Sequence, residues 1–301
     1  MGNFKSIAKQ VLPDRVVSAL RALRGPVYPP VPFDNTYEWL NYTFLDLLKD
    51  KSCASKPQYA WGVAQGAALA KVLEIPRISA IEFGVAGGHG LVILESIAEG
   101  VELRTGIGVD VIGFDSGVGL PKPQDIRDQP NMWFGGQLAM DKSKLEGALR
   151  RAKLYIGDVK ETVTEFAGSS PAPVAFISFD LDLYSSTRDA IALLQHDFRI
   201  LLPRIVSYFD DIFGFTYNDF CGERLAIAEF NADPARKLCP IYGLRYFLPQ
   251  SALTQLWPDG MYFAHLFDHP SYGVLDSLAK PMSVDINGTL KWTPVTQSDN
   301  V

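Results

Sequence analysis

The sequence has few of the features that mark several large classes of protein. Its three cysteines (Cys53, Cys221 and Cys239) are widely spaced and form no CxxC pattern. Neither a disulfide framework nor a thiolate zinc site is therefore expected, and the expected compartment is a reducing cytoplasm. No apolar run approaches the length of a membrane-spanning helix, and the start lacks the long apolar centre of a signal peptide. The net charge of −6 argues against a nucleic-acid partner held mainly through phosphate contacts.

What the chain does have is material for one large core. Of its 301 residues, 47% are hydrophobic and 21% are charged, which excludes a disordered chain or a coiled coil. We predict an N-terminal helical arm and linker over 1–34, a main domain over 35–282 and a polar tail over 283–301. Residues 4–24 read as an amphipathic helix with a basic face. It would contact an anionic membrane surface, or pack on the domain or on a second subunit.

Strand and helix patterns alternate through the main domain. Strands are predicted near 78–83, 107–114, 152–156, 174–180 and 204–210, and helices at 36–49, 58–73, 89–99, 141–151, 159–167, 184–200 and 219–231. Two later runs, 241–248 and 261–267, suit an antiparallel hairpin at a sheet edge. This order predicts an α/β fold with a mostly parallel, doubly wound sheet, an antiparallel C-terminal hairpin and extra N-terminal helices.

A glycine-rich turn follows the first predicted strand. It reads Glu82-x-Gly84-x-x-x-Gly88-x-Gly90 and leads at once into a helical pattern. It lacks the GxGxxG spacing of a dinucleotide site and the Lys-Ser/Thr pair of a P-loop. Glycines in such a turn let the backbone approach a ligand closely, although they also serve helix–strand packing alone.

Acids are predicted at the ends of the second and third strands. Asp115 is placed to accept hydrogen bonds from ribose hydroxyls, whereas Asp110 lies near the start of its strand. Asp158 is placed to receive an adenine amino group, to cap the helix at 159–167, or to do both. Between these acids, the segment 117–140 is long and rich in Pro and Gly, as is typical of a lid beside a binding site.

Four further carboxylates follow the fourth and fifth strands. Asp180 and Asp182 stand two positions apart, so both would project from one face at the end of a strand. Asp210 and Asp211 end the neighbouring strand and would lie close to them. Such a cluster repels itself unless a hard divalent cation neutralises it. The alternatives are that the first pair caps a helix and the second forms a turn.

The glycine turn resembles the first motif of class I S-adenosylmethionine (SAM) methyltransferases. With the segments at 114–121, 157–162 and 180–187 and the Asp210–Asp211 pair, residues 59–231 resemble the macrocin-type O-methyltransferase family, which methylates sugar hydroxyls of macrolide-like natural products. The resemblance implies a Rossmann-like class I methyltransferase fold and an enzyme that uses SAM and Mg²⁺. The residues that it places at the site are Glu82, Gly84, Gly88, Gly90, Asp115, Asp158 and Asp180 for SAM, Asp180, Asp210 and Asp211 for Mg²⁺, and Asp182 as general base. The chain departs from the family at Leu181, where a small residue is expected.

The sequence thus predicts a SAM- and Mg²⁺-dependent O-methyltransferase for a small molecule or glycan, with a natural-product sugar favoured. The alternatives are an NAD-type oxidoreductase and a SAM-binding scaffold without catalysis. No nucleic-acid partner is expected, and a homo-oligomer is compatible with the sequence. Among the histidines, His89, His265 and His269 are secondary candidates for lining the pocket.

Overall fold

The computed structural model describes residues 42–214, 217–252, 254–273, 282–284 and 290–292. The predicted arm at 4–24, the linker after it and the domain boundary at residue 34 lie outside these residues. Within the described part of the chain, every helix is too short or too polar to cross a bilayer.

The core of the fold is a seven-stranded sheet. Its strands are β1 (Arg77–Phe83), β2 (Gly108–Asp115), β3 (Lys153–Ile156), β4 (Val174–Phe179), β5 (Leu201–Phe209), β6 (Arg236–Pro240) and β7 (Met261–Leu266). They lie in the order β3-β2-β1-β4-β5-β7-β6. The first five strands are parallel, and β7 runs antiparallel to both of its neighbours. The prediction of a Rossmann-like, mostly parallel sheet with an antiparallel C-terminal pair is confirmed.

Helices cover the sheet between successive strands. They are α1 (Tyr42–Leu47), α2 (Lys51–Ala54), α3 (Pro57–Val72), α4 (His89–Thr105), α5 (Lys142–Ala148), α6 (Val159–Gly168), α7 (Tyr184–Ile191) and α8 (Gly222–Phe230). The strands β1 and β4 are almost wholly buried, as expected for parallel strands covered on both faces. Helix α3 packs close to β4, since Gly62 has no side chain; a Cβ at this position would overlap the ring of Phe176. This close packing brings the start of α3 over the carboxyl ends of the strands.

Three local predictions differ from the structure. The first strand of the C-terminal pair is Arg236–Pro240 rather than 241–248, because the chain turns at Gly243 with φ of 75° and continues as a 3₁₀ turn. The helix predicted at 184–200 ends at Ile191 and continues as 3₁₀ turns, the second of which is capped by Asp197. The polar tail contains an antiparallel pair of three-residue strands, β8 (Met282–Val284) and β9 (Leu290–Trp292), which are too short to show a period.

Candidate functional site

A cavity of about 420 Å³ lies beyond the carboxyl ends of β1, β2, β3 and β4. It adjoins the point where the strand order reverses between β1 and β4, which is where open α/β sheets bind ligands. The lining includes all seven residues predicted for the cofactor, namely Glu82, Gly84, Gly88, Gly90, Asp115, Asp158 and Asp180. Its volume falls in the usual range of small-molecule sites, roughly 300–1,000 Å³.

The glycine turn forms one wall of this cavity. Gly84 has φ of 82°, and a Cβ there would overlap the carbonyl oxygen of Asp180. A Cβ at Gly90 would overlap Oε1 of Glu82, so that glycine makes room for the acid. Gly88 has φ of 83° and packs under Leu145. The glycines therefore hold β1, β4 and the start of α4 together where the cavity opens.

Glu82 is a buried acid whose hydrogen bonds the protein leaves incomplete. Its side chain is 2% exposed, and Oε1 accepts a hydrogen bond from the hydroxyl of Tyr59 at 2.7 Å. The other oxygen, Oε2, has no partner in the described structure. Burial raises the pKa of Glu82 to about 7, against the lowering effects of Tyr59 and of the nearby Lys56. A ligand with a positive charge would satisfy this carboxylate.

Lys56 supplies a cation to the same cavity. It precedes α3, lines the cavity and holds its ammonium 5.1 Å from the ring centroid of Tyr59. Its charge lowers the pKa of both Glu82 and Asp180, but it forms no ion pair with a carboxylate of the described residues. Sequence reasoning missed both Lys56 and Tyr59. Lys56 precedes α3 and Tyr59 lies within it, and the sequence pattern of this helix indicates only a place in the hydrophobic core.

Asp115 stands at the end of β2 and fastens the glycine turn. Its Oδ2 accepts the backbone N–H of Ala86 at 2.8 Å, and its Oδ1 accepts that of Gly117 at 2.7 Å. Asp110, at the other end of the strand, forms an exposed ion pair with Arg77. The choice of Asp115 over Asp110 thus agrees with the cavity, and the contact with ribose stays a prediction.

Asp158 combines a structural position with a place in the cavity wall. Its Oδ1 accepts the backbone N–H of Lys160 at 2.9 Å, so it caps α6. It also lines the cavity at the end of β3. The cap is therefore present, while adenine recognition stays a prediction.

The carboxylates after β4 and β5 converge beside the cavity. One carboxylate oxygen from each of Asp180, Asp210 and Asp211 lies within 4.8 Å of the others. The sheet positions them, because the backbone N–H of Asp180 donates to Phe83 and that of Asp210 donates to Phe179, each at 3.1 Å. Burial, followed by the charges of Asp210 and Asp211, raises the pKa of Asp180 to about 8. Three oxygens so placed fit a hard divalent cation, which would relieve this repulsion.

Asp182 reaches the cluster by a different route from the one predicted. Because β4 ends at Phe179, Asp180 and Asp182 do not share the face of a strand. Asp182 lies in a turn with φ of 60°, and its N–H donates to Oδ2 of Asp211 at 3.0 Å. Burial and then the charge of Asp211 raise its pKa to about 8. Asp182 is 5% exposed and lines the cavity.

Three further side chains surround the acids and were missed from the sequence. The hydroxyl of Tyr208 donates to Asp210 at 2.6 Å, and that of Tyr217 donates to Asp211 at 3.0 Å. Fully buried Glu223 accepts the N–H of Asp211 at 3.1 Å. Tyr208 lies near the end of β5, two residues before Asp210, which follows the strand, and this spacing is a signal that could have revealed it. Tyr217 and Glu223 have no such signal.

The other predicted pocket elements divide into two groups. Part of the segment 117–140 lines the cavity through Gly119, Leu120, Pro121, Gln124 and Leu138, and His89 lines it at the start of α4. His265 and His269 lie outside the lining; His265 instead contacts the hydroxyl of Tyr272 at 2.8 Å, and His269 accepts the N–H of Ser271 at 3.0 Å.

Comparison with known proteins finds only distant likeness. No family model matches the chain, and no curated protein matches it. Among solved structures, it is similar to the calicheamicin methyltransferase CalS11, with 21% identity over 81% of this chain and 95% of that one and a TM-score of 0.48. It is also similar to cofactor-bound Rv0187 from MTB, with 16% identity, coverage of 86% and 99% and a TM-score of 0.33. The third structure is an O-methyltransferase from Bacillus cereus in complex with SAH (S-adenosylhomocysteine). It has 17% identity over 75% of this chain and 87% of that one, with a TM-score of 0.30. Likeness at this level assigns neither substrate nor metal to the chain.

Proposed function

We propose that this protein is a SAM- and Mg²⁺-dependent O-methyltransferase that acts on a hydroxyl of a small molecule or glycan. The observation that carries the proposal is the double position of Asp180. It lines the cavity beyond the glycine turn, and it belongs to the triad of acids with Asp210 and Asp211. A methyl donor and a cation would therefore be held side by side, as transfer to an oxygen requires.

The charges at one end of the cavity fit the amino-acid portion of SAM. Among the residues that the structure describes, Oε2 of Glu82 has no hydrogen-bond partner and the ammonium of Lys56 has no ion pair. Glu82 would pair with the ammonium group of SAM, and Lys56 would pair with its carboxylate. The turn lacks the features that would bind a pyrophosphate. Asp115 and Asp158 line the cavity beyond the next two strands, where they would receive the ribose and the adenine.

The triad of Asp180, Asp210 and Asp211 would hold Mg²⁺. When bound, SAM supplies the electrophilic methyl group and Mg²⁺ the positive charge that lowers the pKa of an acceptor hydroxyl. Asp182 lines the cavity beside this triad and would accept the hydroxyl proton. The sequence resemblance favours a sugar hydroxyl of a natural product as the acceptor.

Calorimetry on the whole chain tests the cofactor. We expect S-adenosylhomocysteine (SAH) to bind and NAD not to bind. Binding of NAD without binding of SAH would overturn the proposal in favour of an oxidoreductase. A methyl-transfer screen against sugars, phenols and polyketide-like alcohols, with and without Mg²⁺, then identifies the acceptor; a complete absence of transfer by a chain that binds SAH would favour a scaffold.

Two substitutions separate the roles of the acids. Asp182→Asn should retain SAH affinity and lower turnover by about 10²–10⁴-fold, the usual contribution of a general base. Asp210→Asn should raise the Mg²⁺ concentration needed for activity, because Asp210 belongs to the triad and not to the cavity lining. Asp110→Asn is the matched control, since it removes an exposed acid at the other end of the sheet. If both site variants behave like this control, the cluster is structural.

A further inference from the structure

Residues 124–129, here called the brace, are a short turn within the segment between β2 and α5. The turn includes a 3₁₀ helix at Ile126–Asp128. Asp128 is only 1% exposed, and both of its carboxylate oxygens are engaged. Oδ1 accepts the backbone N–H of Ser185 at 2.7 Å, while Oδ2 accepts the hydroxyl of Ser185 at 2.9 Å and the backbone N–H of Gln124 at 2.8 Å. The brace is thus fixed to the first turn of α7.

Arg127 extends the brace to a second helix. Its guanidinium carbon lies 4.5 Å from the ring centroid of Tyr184, and Nη1 donates to the hydroxyl of Tyr184 at 3.1 Å. That hydroxyl in turn donates to Oε2 of Glu229 in α8 at 2.6 Å. Through Tyr184, the brace is therefore linked both to the start of α7 and to the last turn of α8.

Gln129 meets the same loops at a third point. A Cβ built on Gly222, the first residue of α8, would lie 3.1 Å from Oε1 of Gln129 and 3.8 Å from the carbonyl oxygen of Asp182. Gly222 has φ of 59° and Gln129 has φ of 51°. The brace, the Asp182 loop and the start of α8 therefore pack closely together at Gly222.

The loop that needs this support is the one that carries Asp182. With φ of 60°, Asp182 has a left-handed backbone conformation, which a non-glycine residue keeps only where its surroundings fix it. Leu183, the N-cap residue just before α7, provides no side-chain cap. Asp128 supplies that cap from 57 positions away in the sequence.

We propose that Asp128 is a positioning residue, which holds α7 so that the acids of the two loops keep the spacing that a divalent cation requires. The inference rests on the proposed metal site and extends it to a segment that carries none of its ligands. Asp128 would act through the N-terminus of α7 and touch neither the cofactor nor the metal. Groups that hydrogen-bond directly to metal ligands typically change metal affinity by about 10–100-fold. Asp128 acts one step further away, through Ser185, so the lower end of that range is expected.

The test compares Asp128→Ala with Asp197→Ala in the full chain. Asp197 is a matched control, because it also accepts a backbone N–H, that of Arg199 at 2.8 Å, and caps a 3₁₀ turn before β5, far along the strand from the acids. Hydrogen exchange of the peptide 181–190 reports on the brace itself. Binding of Mn²⁺, measured by electron paramagnetic resonance, reports on the metal site, and calorimetry with SAH reports on the cavity.

We expect Asp128→Ala to speed exchange across 181–190 and to weaken Mn²⁺ binding about tenfold or more, with SAH affinity changed less than threefold. Asp128→Asn should fall between the wild type and Asp128→Ala, because its amide retains one acceptor oxygen. Asp197→Ala should change none of the three measurements.

Unchanged exchange in Asp128→Ala would overturn the brace, and faster exchange with unchanged Mn²⁺ affinity would overturn its positioning role. A wild-type chain that binds no Mn²⁺ would overturn the metal site and with it this role, while exchange across 181–190 would still decide whether Asp128 holds α7.

Discussion

Glu82 and Glu95 are both buried carboxylates of the same β1–α4 unit, yet the protein supplies full hydrogen bonding to only one of them. Glu95 is 0% exposed and accepts the backbone N–H groups of Arg150, Arg151 and Ala152 at 2.7–2.9 Å. Glu82 is 2% exposed and accepts one hydroxyl, with its second oxygen unpartnered. One acid fastens the start of β3 to α4, and the other faces a cavity.

The pKa values of Glu82 and Glu95 shift in opposite directions, in keeping with this difference in hydrogen bonding. Burial alone would raise both, but the backbone amides of Arg151, Ala152 and Arg150 outweigh it and lower the pKa of Glu95. For Glu82 burial prevails and raises the pKa to about 7. A buried charge costs free energy unless its hydrogen bonds are made. The comparison teaches that a satisfied buried acid serves the fold, whereas an unsatisfied one at a cavity is suited to a ligand.

The largest expected effect on stability comes from removing the carboxylate of Glu95. Glu95→Ala should lower the free energy of unfolding by about 3–5 kcal/mol, because three backbone amides lose their acceptor, at about 1–3 kcal/mol each where water cannot replace it. Urea unfolding at pH 7 measures this loss. Glu99→Ala is the control, since it removes a neighbouring acid that forms only an exposed pair with Arg150; exposed pairs contribute about 0–1 kcal/mol. Equal losses in both variants would mean that the three amides contribute nothing.

Glu82 and Glu95 should make opposite contributions to the pH dependence of stability. Glu82 has a folded pKa of about 7 against an ordinary value of 4.5, so the folded state binds more protons between these values and becomes less stable as the pH rises through them. Glu95, whose pKa is lowered, stabilises the fold above 4.5 and loses that effect as the pH falls. For Glu82 the difference corresponds to about 3 kcal/mol.

Glu82→Gln should therefore be more stable than the wild type at pH 8, by about 2–3 kcal/mol, and equally stable near pH 4. It should also bind SAH about 10–100-fold more weakly, because an amide cannot pair with an ammonium group. Urea unfolding at the two pH values and calorimetry check both effects. A variant that loses stability at pH 8 would show that the charge of Glu82 is already compensated within the protein.

The smallest expected effect concerns Lys56. Lys56→Gln should weaken SAH binding about tenfold while leaving the affinity for 5′-methylthioadenosine unchanged, because that compound lacks the amino-acid carboxylate. A tenfold change corresponds to about 1.4 kcal/mol, close to the lower limit of about 1.5 kcal/mol for a hydrogen bond to a charged group. Calorimetry with the two ligands makes the comparison. Lys71→Gln is the control, because Lys71 is an exposed lysine near the end of α3, the helix that Lys56 precedes. Weaker binding of both ligands would assign Lys56 to the nucleoside or to the fold.

Sequence patterns predict many residues of the cavity lining, because these residues lie at strand ends. The position of Asp115 at the carboxyl end of β2 favours it over Asp110, and Asp115 lies in the cavity wall. The face-sharing argument for Asp180 and Asp182 was wrong, since it requires an extended strand up to these residues, whereas β4 ends at Phe179 and Asp182 lies in a turn. What joins Asp182 to the cluster is a hydrogen bond to Asp211, 29 positions away. The periodicity of apolar residues along the chain does not predict a contact between such distant positions.

Apolar periodicity and the spacing of a few residues, which are local properties of a chain, predict the order of strands and helices, the parallel sheet and the strand ends that carry acids and glycines. Local patterns do not predict which buried acids have their hydrogen bonds satisfied. Glu95 accepts the amides of 150–152, and Asp128 caps a helix 57 positions away. Among the described residues, Glu82 accepts a hydrogen bond from Tyr59 alone. The physical reason is that burial and hydrogen bonding depend on neighbours in space, and packing alone brings those neighbours together.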